Sequence, residues 1–391
     1  GCKWQHVDYQ AQLEFKRQHV VDAFERIGGF KDIAVNPAIG SENIYFYRNK
    51  MEFSFGEKWL PKDEFETRIL HSETVPAFAL GMHPAGLYQK VLDLEECYLQ
   101  SEESVRIVNA VRRFCIERQL SIYSTFTHTG YLRNLVIRQS ASTNELMVNI
   151  VTSDDNPVLI SSLCSLLLEE IPSITTIINN ITQRKNLVAI GDCEKVYHGH
   201  GYITEMIGKR KYRVSANSFF QTNTKQAGRL YDVAKRMAGL KSEDVVFDLY
   251  SGTGTIALHI ADDVKEVVGV ENVETAVDDA KRNAVANGVK NCTFVLGDLK
   301  DRLTKDAAWL TNHSLPDVMI IDPPRAGMHE KVVSEVMAMK PERIVYVSCN
   351  PTTQARDIKL MANAYRITEV QPVDMFPHTY HIENVVRLER L

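Results

Sequence analysis

The sequence predicts an α/β protein in which a doubly wound parallel sheet follows an α+β domain. Its 391 residues exceed the size at which one hydrophobic core usually stops growing, so two domains are expected. The residue pattern changes near position 215, and beyond it five apolar, β-branched runs alternate with helical segments. These runs are Val245–Leu249, Val267–Val270, Thr293–Leu296, Val318–Ile321 and Ile344–Val347. We therefore assign residues 1–215 to an N-terminal helix and the α+β domain, and residues 216–391 to the doubly wound domain.

The first element is a helix that we predict over residues 9–27. Four apolar residues recur at helical spacing, and Gly28 is a natural C-terminal cap. These four residues are Leu13, Val20, Phe24 and Ile27. Further along, Leu132–Gln139 and Glu145–Val151 have the pattern of strands in a half-exposed sheet, with turn residues 141–144 between them.

Composition and charge exclude several classes of protein. With 44% hydrophobic and 24% charged residues, the chain is neither collagen-like nor largely disordered. A net charge of −5 argues against a protein that coats nucleic acid without selectivity, although a local basic patch can still bind phosphate. The sequence has neither a membrane-spanning apolar run nor a signal peptide, so we expect a cytoplasmic protein without membrane contact. Seven scattered cysteines indicate thiols or metal ligands rather than a disulfide framework.

The segment after the first buried strand has the features of a nucleotide-binding loop. Gly252 and Gly254 follow the strand Val245–Leu249 and lead into a helix, whose N-terminus favours negative groups. Glu271 ends the next strand, where a carboxylate can accept hydrogen bonds from both ribose hydroxyls. Asp298 ends the third strand, within reach of an adenine edge. Alone, the glycine pair is also compatible with an ordinary tight turn or with a nicotinamide dehydrogenase.

The fourth and fifth strands end in residues that suit catalysis. Asp322-Pro323-Pro324-Arg325 forms a rigid turn that directs Asp322 and Arg325 into the crevice at the carboxyl edge of the sheet. Cys349 faces the same crevice and is placed to act as a nucleophile, because a thiolate needs only partial exposure. The structural alternatives are a strand-ending turn with a surface ion pair and a buried packing thiol.

Near the C-terminus, two histidines and a carboxylate occur within a short segment. His378, His381 and Glu383 precede the last predicted strand, Val385–Leu388. They have the side chains of metal ligands, but no Cys or His pair with zinc spacing accompanies them. We therefore interpret Glu383 as a general acid or base.

Four motifs together resemble one family of enzymes. In chain order they are Asp248-Leu249-Tyr250-Ser251-Gly252-Thr253-Gly254, Asp322-Pro323-Pro324-Arg325, Ser348-Cys349-Asn350-Pro351 and Pro377-His378-Thr379-Tyr380-His381-Ile382-Glu383. Their order and spacing closely resemble those of the S-adenosylmethionine-dependent RNA 5-methyluridine (uracil-C5) methyltransferases. Further matches at residues 219–221 and 47–53 extend the resemblance over nearly the whole chain. It implies a Rossmann-like S-adenosylmethionine methyltransferase domain preceded by an α+β central domain that binds RNA.

The resemblance implies a role for each matching residue. Cys349 would add to C6 of the target uracil, because C5 is a poor nucleophile until C6 is saturated. Glu383 would then remove the C5 proton so that the thiol can leave, and Asp322 would lie between cofactor and base. The cofactor pocket would be lined by Gln221, Tyr250, Gly252, Thr255, Glu271, Asp298 and Asp322. Thr255 departs from the Asn that is common at its position.

Two cysteines resemble ligands of the 4Fe-4S cluster held by the ribosomal-RNA branch of this family. Cys2, in Gly1-Cys2-Lys3-Trp4-Gln5, resembles the end of a Cys-Gly-Gly-Cys run, and Cys97 resembles the distant fourth ligand. Such a cluster requires four thiolates. The chain begins without Met and shows two of the four, so we expect either that an upstream part, including a small RNA-binding β-barrel, was removed or that the cluster is absent.

Aromatic and basic residues occur together at two places that suit contacts with RNA bases taken out of their stack. These are residues 45–50 and residues 209–213. The cluster-like cysteines favour 23S ribosomal RNA over the transfer-RNA T-loop as the target. The sequence implies no obligate protein partner.

Three other functions fit parts of the sequence. An amino-group methyltransferase shares Asp-Pro-Pro, but there an aromatic residue follows the prolines and no thiol is needed on the next strand, whereas this chain has Arg325 and Cys349. A non-catalytic RNA-binding module is disfavoured because the nucleophile and the base are both present. A dehydrogenase has no use for Cys349 together with Glu383.

Overall fold

The computed structural model describes residues 2–70, 78–84, 86–87, 90–185, 189, 191–302 and 313–391. The helices in these ranges are α1 Tyr9–Ala23, α2 Lys62–Leu70, α3 Glu102–Glu117, α4 Pro157–Glu170, α5 Thr224–Ala238, α6 Thr255–Ile260, α7 Glu274–Ala286, α8 Leu299–Arg302, α9 Glu330–Met339 and α10 Pro351–Met361. The strands are β1 Lys50–Lys58, β2 Phe78–Met82, β3 Lys90–Asp93, β4 Leu132–Gln139, β5 Leu146–Thr152, β6 Thr176–Ile181, β7 Cys193–His198, β8 Tyr202–Ile207, β9 Arg210–Ser215, β10 Val245–Leu249, β11 Glu266–Glu271, β12 Cys292–Leu296, β13 Val318–Ile321, β14 Arg343–Ser348, β15 Tyr365–Val373 and β16 Glu383–Arg390. None of the described helices is both long and apolar enough to span a membrane.

The chain divides into two compact units that are discontinuous in sequence. The doubly wound unit comprises Gly1–Ile44, Met206–Tyr212 and Ser218–Leu391, and the central unit comprises Tyr45–Glu205 and Arg213–Asn217. A single boundary at residue 215 is therefore wrong for the N-terminal segment. The physical reason is that α1 packs on α10 and β15, and its apolar residues join the core of the doubly wound sheet.

The doubly wound unit contains a seven-stranded sheet in the order β12-β11-β10-β13-β14-β16-β15. Its first five strands are mutually parallel, and β16 runs antiparallel to both of its neighbours. The predicted runs Val245–Leu249 and Val318–Ile321 are strands with those bounds, and the other predicted strands differ at their ends by one or two residues. The predicted α/β fold is confirmed, because continuous apolar runs are what a sheet covered on both faces requires.

Helix α1 differs from the prediction in its end and in its buried face. It ends at Ala23 and continues as a π-helical turn, and the left-handed cap residue is Gly29, with a φ of 77°, rather than Gly28. Ile27 is 44% exposed, whereas the polar residues Gln12 and Lys16 are fully buried. The face that packs inward is therefore partly polar, which apolar periodicity alone does not indicate.

The central unit contains a mixed seven-stranded sheet in the order β2-β3-β1-β4-β5-β6-β7. Strands β4 and β5 pair as predicted around their turn, but they are almost wholly buried instead of half-exposed. Helices α3 and α4 contribute to the apolar core of this unit. Polar side chains of β4 also find partners within the unit, since Asn134 donates to Ser54 and Arg138 donates to the carbonyl of Ala216.

Candidate active site

The carboxyl ends of adjacent strands bring the predicted catalytic residues to one edge of the doubly wound sheet. Ile321 of β13 is in register with Leu249 of β10 on one side and with Tyr346 of β14 on the other. Asp322 follows directly, and its backbone N–H donates to the carbonyl of Leu249 at 3.2 Å. Asp322 therefore lies at the centre of the edge where open α/β sheets bind their ligands.

The antiparallel pairing of β14 and β16 brings Cys349 next to Glu383. Ser348, the last residue of β14, is in register with Asn384, the second residue of β16. Because the strands run in opposite directions, Cys349, which directly follows β14, comes opposite Glu383, the first residue of β16. Two residues 34 positions apart in sequence, by subtraction of their numbers, thus become neighbours at the sheet edge.

Cys349 is a half-buried thiol surrounded by charge. The pKa of Cys349 is raised to about 11, mainly by burial and also by the neighbouring carboxyl groups of Glu383 and Asp322. Arg325 opposes this shift through its charge and through a hydrogen bond with the thiol. The thiol is therefore largely protonated at neutral pH, and the positive charge of Arg325 favours the thiolate form.

The carboxyl groups of Glu383 and Asp322 both have raised pKa values in this site. Burial raises the pKa of Glu383 well above its usual value; nearby Asp322 raises it as well, and Arg325 opposes both effects. Burial also raises the pKa of Asp322 to about 7. At neutral pH Asp322 is thus close to the midpoint of its titration, and Glu383 holds its proton more strongly than an exposed glutamate does.

Arg325 is held from two sides. Its carbonyl accepts hydrogen bonds from Asn350 at 3.0 Å and from Thr353 at 3.2 Å, both at the start of α10. Its guanidinium donates to Nδ1 of His381 at 2.6 Å. Since arginine has no acceptor, Nδ1 of His381 carries no proton in this contact. These contacts tie the turn after β13 to the segment that precedes Glu383.

The loop between β10 and α6 is bound to the end of β11 through Glu271. One carboxylate oxygen of Glu271 accepts the N–H of Gly252 at 2.9 Å, and the other accepts those of Asn272 at 2.8 Å and Val273 at 2.9 Å. A Cβ built at Gly252 would meet no heavy atom within 4 Å. At Gly254, with a φ of 77°, it would meet the Phe294 ring at 2.7 Å. Gly254 is therefore fixed by packing, whereas Gly252 borders open space.

Two buried polar groups at this loop were missed as candidate site residues. Among the described residues, Oδ1 of Asp248 and Oγ of Ser251 have no hydrogen-bond partner. Burial raises the pKa of Asp248 to about 8, with further contributions from Asp322 and Glu271. Tyr250 has a φ of 63°, a strained value for a non-glycine residue. Unpartnered polar atoms, backbone strain and open space at Gly252 together fit a polar nucleotide-like cofactor. The signal for Asp248 in the sequence was a polar residue inside an otherwise apolar strand.

The remaining predicted cofactor residues differ in their surroundings. The hydroxyl of Thr255 hydrogen bonds with that of Tyr231 at 3.1 Å, so it is already engaged beneath the loop. Asp298 is exposed, and its carboxylate accepts the N–H of Lys300 at 3.0 Å, at the start of α8. Gln221 is half-buried in the segment before α5. Their predicted roles toward the cofactor stay predictions.

The predicted metal ligands are not part of a described metal-binding group. Cys2 and Cys97 are both half-buried and belong to different units. Within the described ranges, no three His, Cys, Asp or Glu side chains form a group able to hold a metal ion. This part of the chain by itself therefore does not fit a four-thiolate cluster.

Of the two predicted RNA-contacting segments, one is exposed and aromatic. In the central unit, Tyr45 and Phe46 pack edge-on against Tyr98, and Phe46 is 51% exposed with a φ of 53°. In the doubly wound unit, by contrast, Arg210 is buried, pairs with Asp262 at 2.7 Å and donates to a carbonyl at 2.9 Å. Arg210 is therefore a structural residue rather than a surface contact.

Comparison with known proteins defines the class and then the family. The chain has the fold and the sheet edge of a Rossmann-like methyltransferase. A family profile described as tRNA (uracil-5-)-methyltransferase matches residues 148–391, and the chain belongs to this family. The predicted resemblance to uracil-C5 methyltransferases is thus confirmed, and the dehydrogenase alternative is wrong.

Relatives and a solved structure match nearly the whole chain. An RNA methyltransferase of Chlorobaculum tepidum is 47% identical over 100% of this chain and 81% of its own length. One of Bacteroides thetaiotaomicron is 43% identical over 100% of this chain and 85% of its own. The crystal structure of the Pyrococcus abyssi tRNA (uracil-54, C5)-methyltransferase with S-adenosyl-L-homocysteine has a TM-score of 0.77 at 32% identity, covering 99% of this chain and 85% of that one.

Proposed function

We propose that this protein transfers a methyl group from S-adenosylmethionine to C5 of a uridine in RNA through a covalent bond between Cys349 and C6. The observation that carries the proposal is the pairing of β14 with β16, which makes a thiol and a carboxyl group neighbours beside Asp322. Neither an amino-group methyltransferase nor a non-catalytic module needs such a pair.

The cofactor would bind at the loop that Glu271 ties to β11. Glu271 accepts three backbone N–H groups, which leaves roughly one of about four acceptor positions on its carboxylate for a ribose hydroxyl. Asp248 and Ser251 offer unpartnered polar atoms beneath the same loop. When bound, S-adenosylmethionine supplies an electrophilic methyl group.

The thiol of Cys349 begins the reaction by losing its proton and adding to C6. A bond forms between Sγ and C6, and the electron pair of the C5–C6 double bond becomes available at C5 to take the methyl group. The bond between the methyl group and its sulfur would break in that transfer and leave S-adenosylhomocysteine, a neutral thioether. Arg325 stabilises the thiolate because its charge and hydrogen bond lower the pKa of Cys349. The thiol proton passes to the carboxylate of Asp322, whose charge acts on Cys349 and whose pKa burial raises to about 7.

Glu383 completes the reaction by taking the proton from C5. The electron pair of the C5–H bond re-forms the C5–C6 double bond, and the bond between Sγ and C6 breaks. Burial raises the pKa of Glu383 well above the usual value. Its carboxylate is then a stronger base than an exposed one.

For the RNA class, we propose 23S ribosomal RNA, with the transfer-RNA T-loop as the second candidate. The support for ribosomal RNA is the resemblance of Cys2 and Cys97 to cluster ligands. The similarity to the Pyrococcus abyssi enzyme, which acts on tRNA uracil-54, favours the second. The exposed aromatic residues Tyr45 and Phe46 suit stacking with an extruded base of either RNA. No step of the proposed reaction requires an iron-sulfur cluster.

The mechanism is tested by variants that separate the nucleophile from the base. Glu383→Gln keeps the thiol and removes the base, so methyl transfer proceeds and elimination stalls. On a denaturing gel, this variant should show a protein band shifted by the mass of the RNA and carrying the labelled methyl group. Cys349→Ala, alone or with Glu383→Gln, should show no such band.

Matched controls change the same residue types elsewhere in the chain. Glu389→Gln changes a partly exposed carboxylate of β16 that pairs with Arg366 and Arg387, and Cys193→Ala removes an exposed thiol of the central unit. Both should turn over like the unmodified protein. Wild-type turnover by Glu383→Gln, or a shifted band that survives Cys349→Ala, would assign the base or the nucleophile to another residue.

A further inference from the structure

The loop that leads into Glu383 closes the hairpin of β15 and β16. Val373, the last residue of β15, is in register with Glu383, the first of β16, so the loop consists of residues 374–382. Asp374, Met375 and Ile382 are at most 3% exposed. The conformation of this buried loop therefore determines how the chain enters Glu383.

An ion pair from α1 holds the start of the loop. Nζ of Lys16 donates to Oδ1 of Asp374 at 2.6 Å and to the carbonyl of Phe376 at 3.0 Å, and both side chains of the pair are fully buried. The hydroxyl of Tyr9 donates to Oδ2 of Asp374 at 3.0 Å. The same hydroxyl accepts the N–H of Ser41 at 2.7 Å. Each of these bonds is directional, so together they fix the position of the loop as well as its distance from α1.

Gln12, one turn earlier on α1, holds the middle of the loop. Its Oε1 accepts the backbone N–H of His378 at 2.8 Å, and its Nε2 donates to the carbonyls of Trp4 at 3.0 Å and Val7 at 2.9 Å. The N–H of Trp4 in turn donates to the carbonyl of His378 at 3.0 Å. Both backbone polar groups of His378 are thus bound by the N-terminal segment.

His378 is the residue at which the loop needs support. Its φ of 66° is in the left-handed region, which costs a non-glycine residue of order 1–3 kcal/mol and persists only when surrounding contacts enforce it. The contacts that enforce it come from Gln12 and Trp4. Three residues further on, His381 accepts a hydrogen bond from Arg325, the cation that also binds Cys349.

We propose that Gln12 and Lys16 are positioning residues for Glu383, since from α1 they hold the loop through which the chain enters the general base. The inference rests on the proposed role of Glu383. It explains why two polar side chains occupy the buried stripe of α1, which Val20 and Ala23 continue as apolar residues. Apolar side chains at both positions would bury area without directional bonds and would leave the loop conformation unspecified.

Gln12→Met tests the inference because it keeps the length of the side chain and removes every hydrogen bond to His378, Trp4 and Val7. With 23S ribosomal RNA and transfer RNA from cells lacking the gene as substrates, we expect kcat to fall by about 10- to 100-fold. The KM for S-adenosylmethionine should stay within about twofold of the original, because the cofactor loop lies on other elements. Under single-turnover conditions, the methylated covalent complex should accumulate, as a slowed base step requires.

A second variant separates positioning from stability. Lys16→Met with Asp374→Leu replaces the buried ion pair with apolar side chains, a change that is often neutral or stabilising for folding. We expect this double variant to stay folded, with a melting temperature lowered only by the loss of the hydrogen bonds that Asp374 accepts from Tyr9 and from the N–H of Phe376, and still to accumulate the covalent complex. The matched control is Gln10→Met, which alters an exposed side chain of the same helix and should change neither rate nor adduct.

The outcomes separate this inference from the proposed function. If Glu383→Gln accumulates the complex whereas folded Gln12→Met turns over at the original rate, or slows without accumulating it, α1 does not position the base and the inference is wrong. If Glu383→Gln itself accumulates no complex, the assignment of the base is wrong and the inference falls with it. A rate that follows only the loss of melting temperature would reduce Gln12 to a structural residue.

Discussion

Arg325 supplies a positive charge next to both Cys349 and Glu383. It lowers the pKa values of both Cys349 and Glu383, against the upward shift that burial imposes on each. Cys349 loses a proton to become charged, so removing Arg325 raises its pKa further. The thiolate fraction at any pH below that value then falls.

Arg325→Met should therefore slow the alkylation of Cys349. With iodoacetamide and peptide mass spectrometry, the rate at Cys349 in the original protein should rise with pH between 8 and 10 without levelling, since its pKa is about 11. In Arg325→Met the rate should be lower by about tenfold at each pH, as expected for a change of roughly one pKa unit. Arg366→Met, an exposed arginine paired with Glu389, is the control. Equal rates, or a plateau below pH 9, would contradict the electrostatic assignment.

Single-residue predictions from sequence are possible where the chemistry follows from residue type and strand position. Cys349, Asp322 and Glu383 were recognised because each stands at the end of an apolar run or motif. Asp248 was not proposed as a site residue, because its unpartnered Oδ1 and raised pKa depend on the burial of the whole edge. The local signal, a polar residue inside an otherwise apolar strand, does not show that distant elements bury its side chain.

At the scale of elements, the strands of the doubly wound sheet were predictable and the face of α1 was not. A strand that is buried on both faces consists mostly of apolar residues, so the two ends of Val245–Leu249 could be predicted from composition alone. Helix α1 buries Gln12 and Lys16 because their partners lie on the loop after β15, more than 350 residues later in the chain. Apolar periodicity instead selected Ile27, which is exposed.

The loop between β10 and α6 depends on one carboxylate at the end of another strand. Glu271→Ala removes three hydrogen bonds to backbone N–H groups and the proposed hydrogen bond to a ribose hydroxyl. Losing charge-assisted hydrogen bonds typically costs about 1.5 to 3 kcal/mol. We therefore expect calorimetry to show S-adenosylmethionine binding that is weaker by about one to two decades.

Glu274→Ala is the matched control for the loop, because Glu274 is an exposed acid in the first turn of α7, three residues beyond Glu271. It should leave the affinity unchanged. Unchanged affinity in Glu271→Ala as well would remove Glu271 from the cofactor site and leave it only as a tie between two loops.

At the scale of the whole molecule, the sequence indicated two domains but not that they are discontinuous. A composition change near residue 215 marks where the long run of parallel strands begins. This change does not indicate which unit residues 1–44 belong to, because long-range contacts, such as the one between Lys16 and Asp374, decide that. The N-terminal segment is thus remote in sequence from Cys349 and Glu383, but it belongs to the same unit.

The last prediction concerns which RNA the whole protein modifies. An enzyme that acts on C5 of uracil must take the base out of its stack, so its target lies in a loop or another site where unstacking costs little. In cells lacking the gene, mass-spectrometric mapping should show that 23S ribosomal RNA has lost one 5-methyluridine while transfer RNA keeps its own. Restoring the gene should return the modification, restoring it with Cys349→Ala should not, and Cys193→Ala serves as the competent control. Loss from transfer RNA instead would assign the T-loop as the target and contradict the argument from Cys2 and Cys97, and loss from neither RNA would contradict the proposed reaction itself.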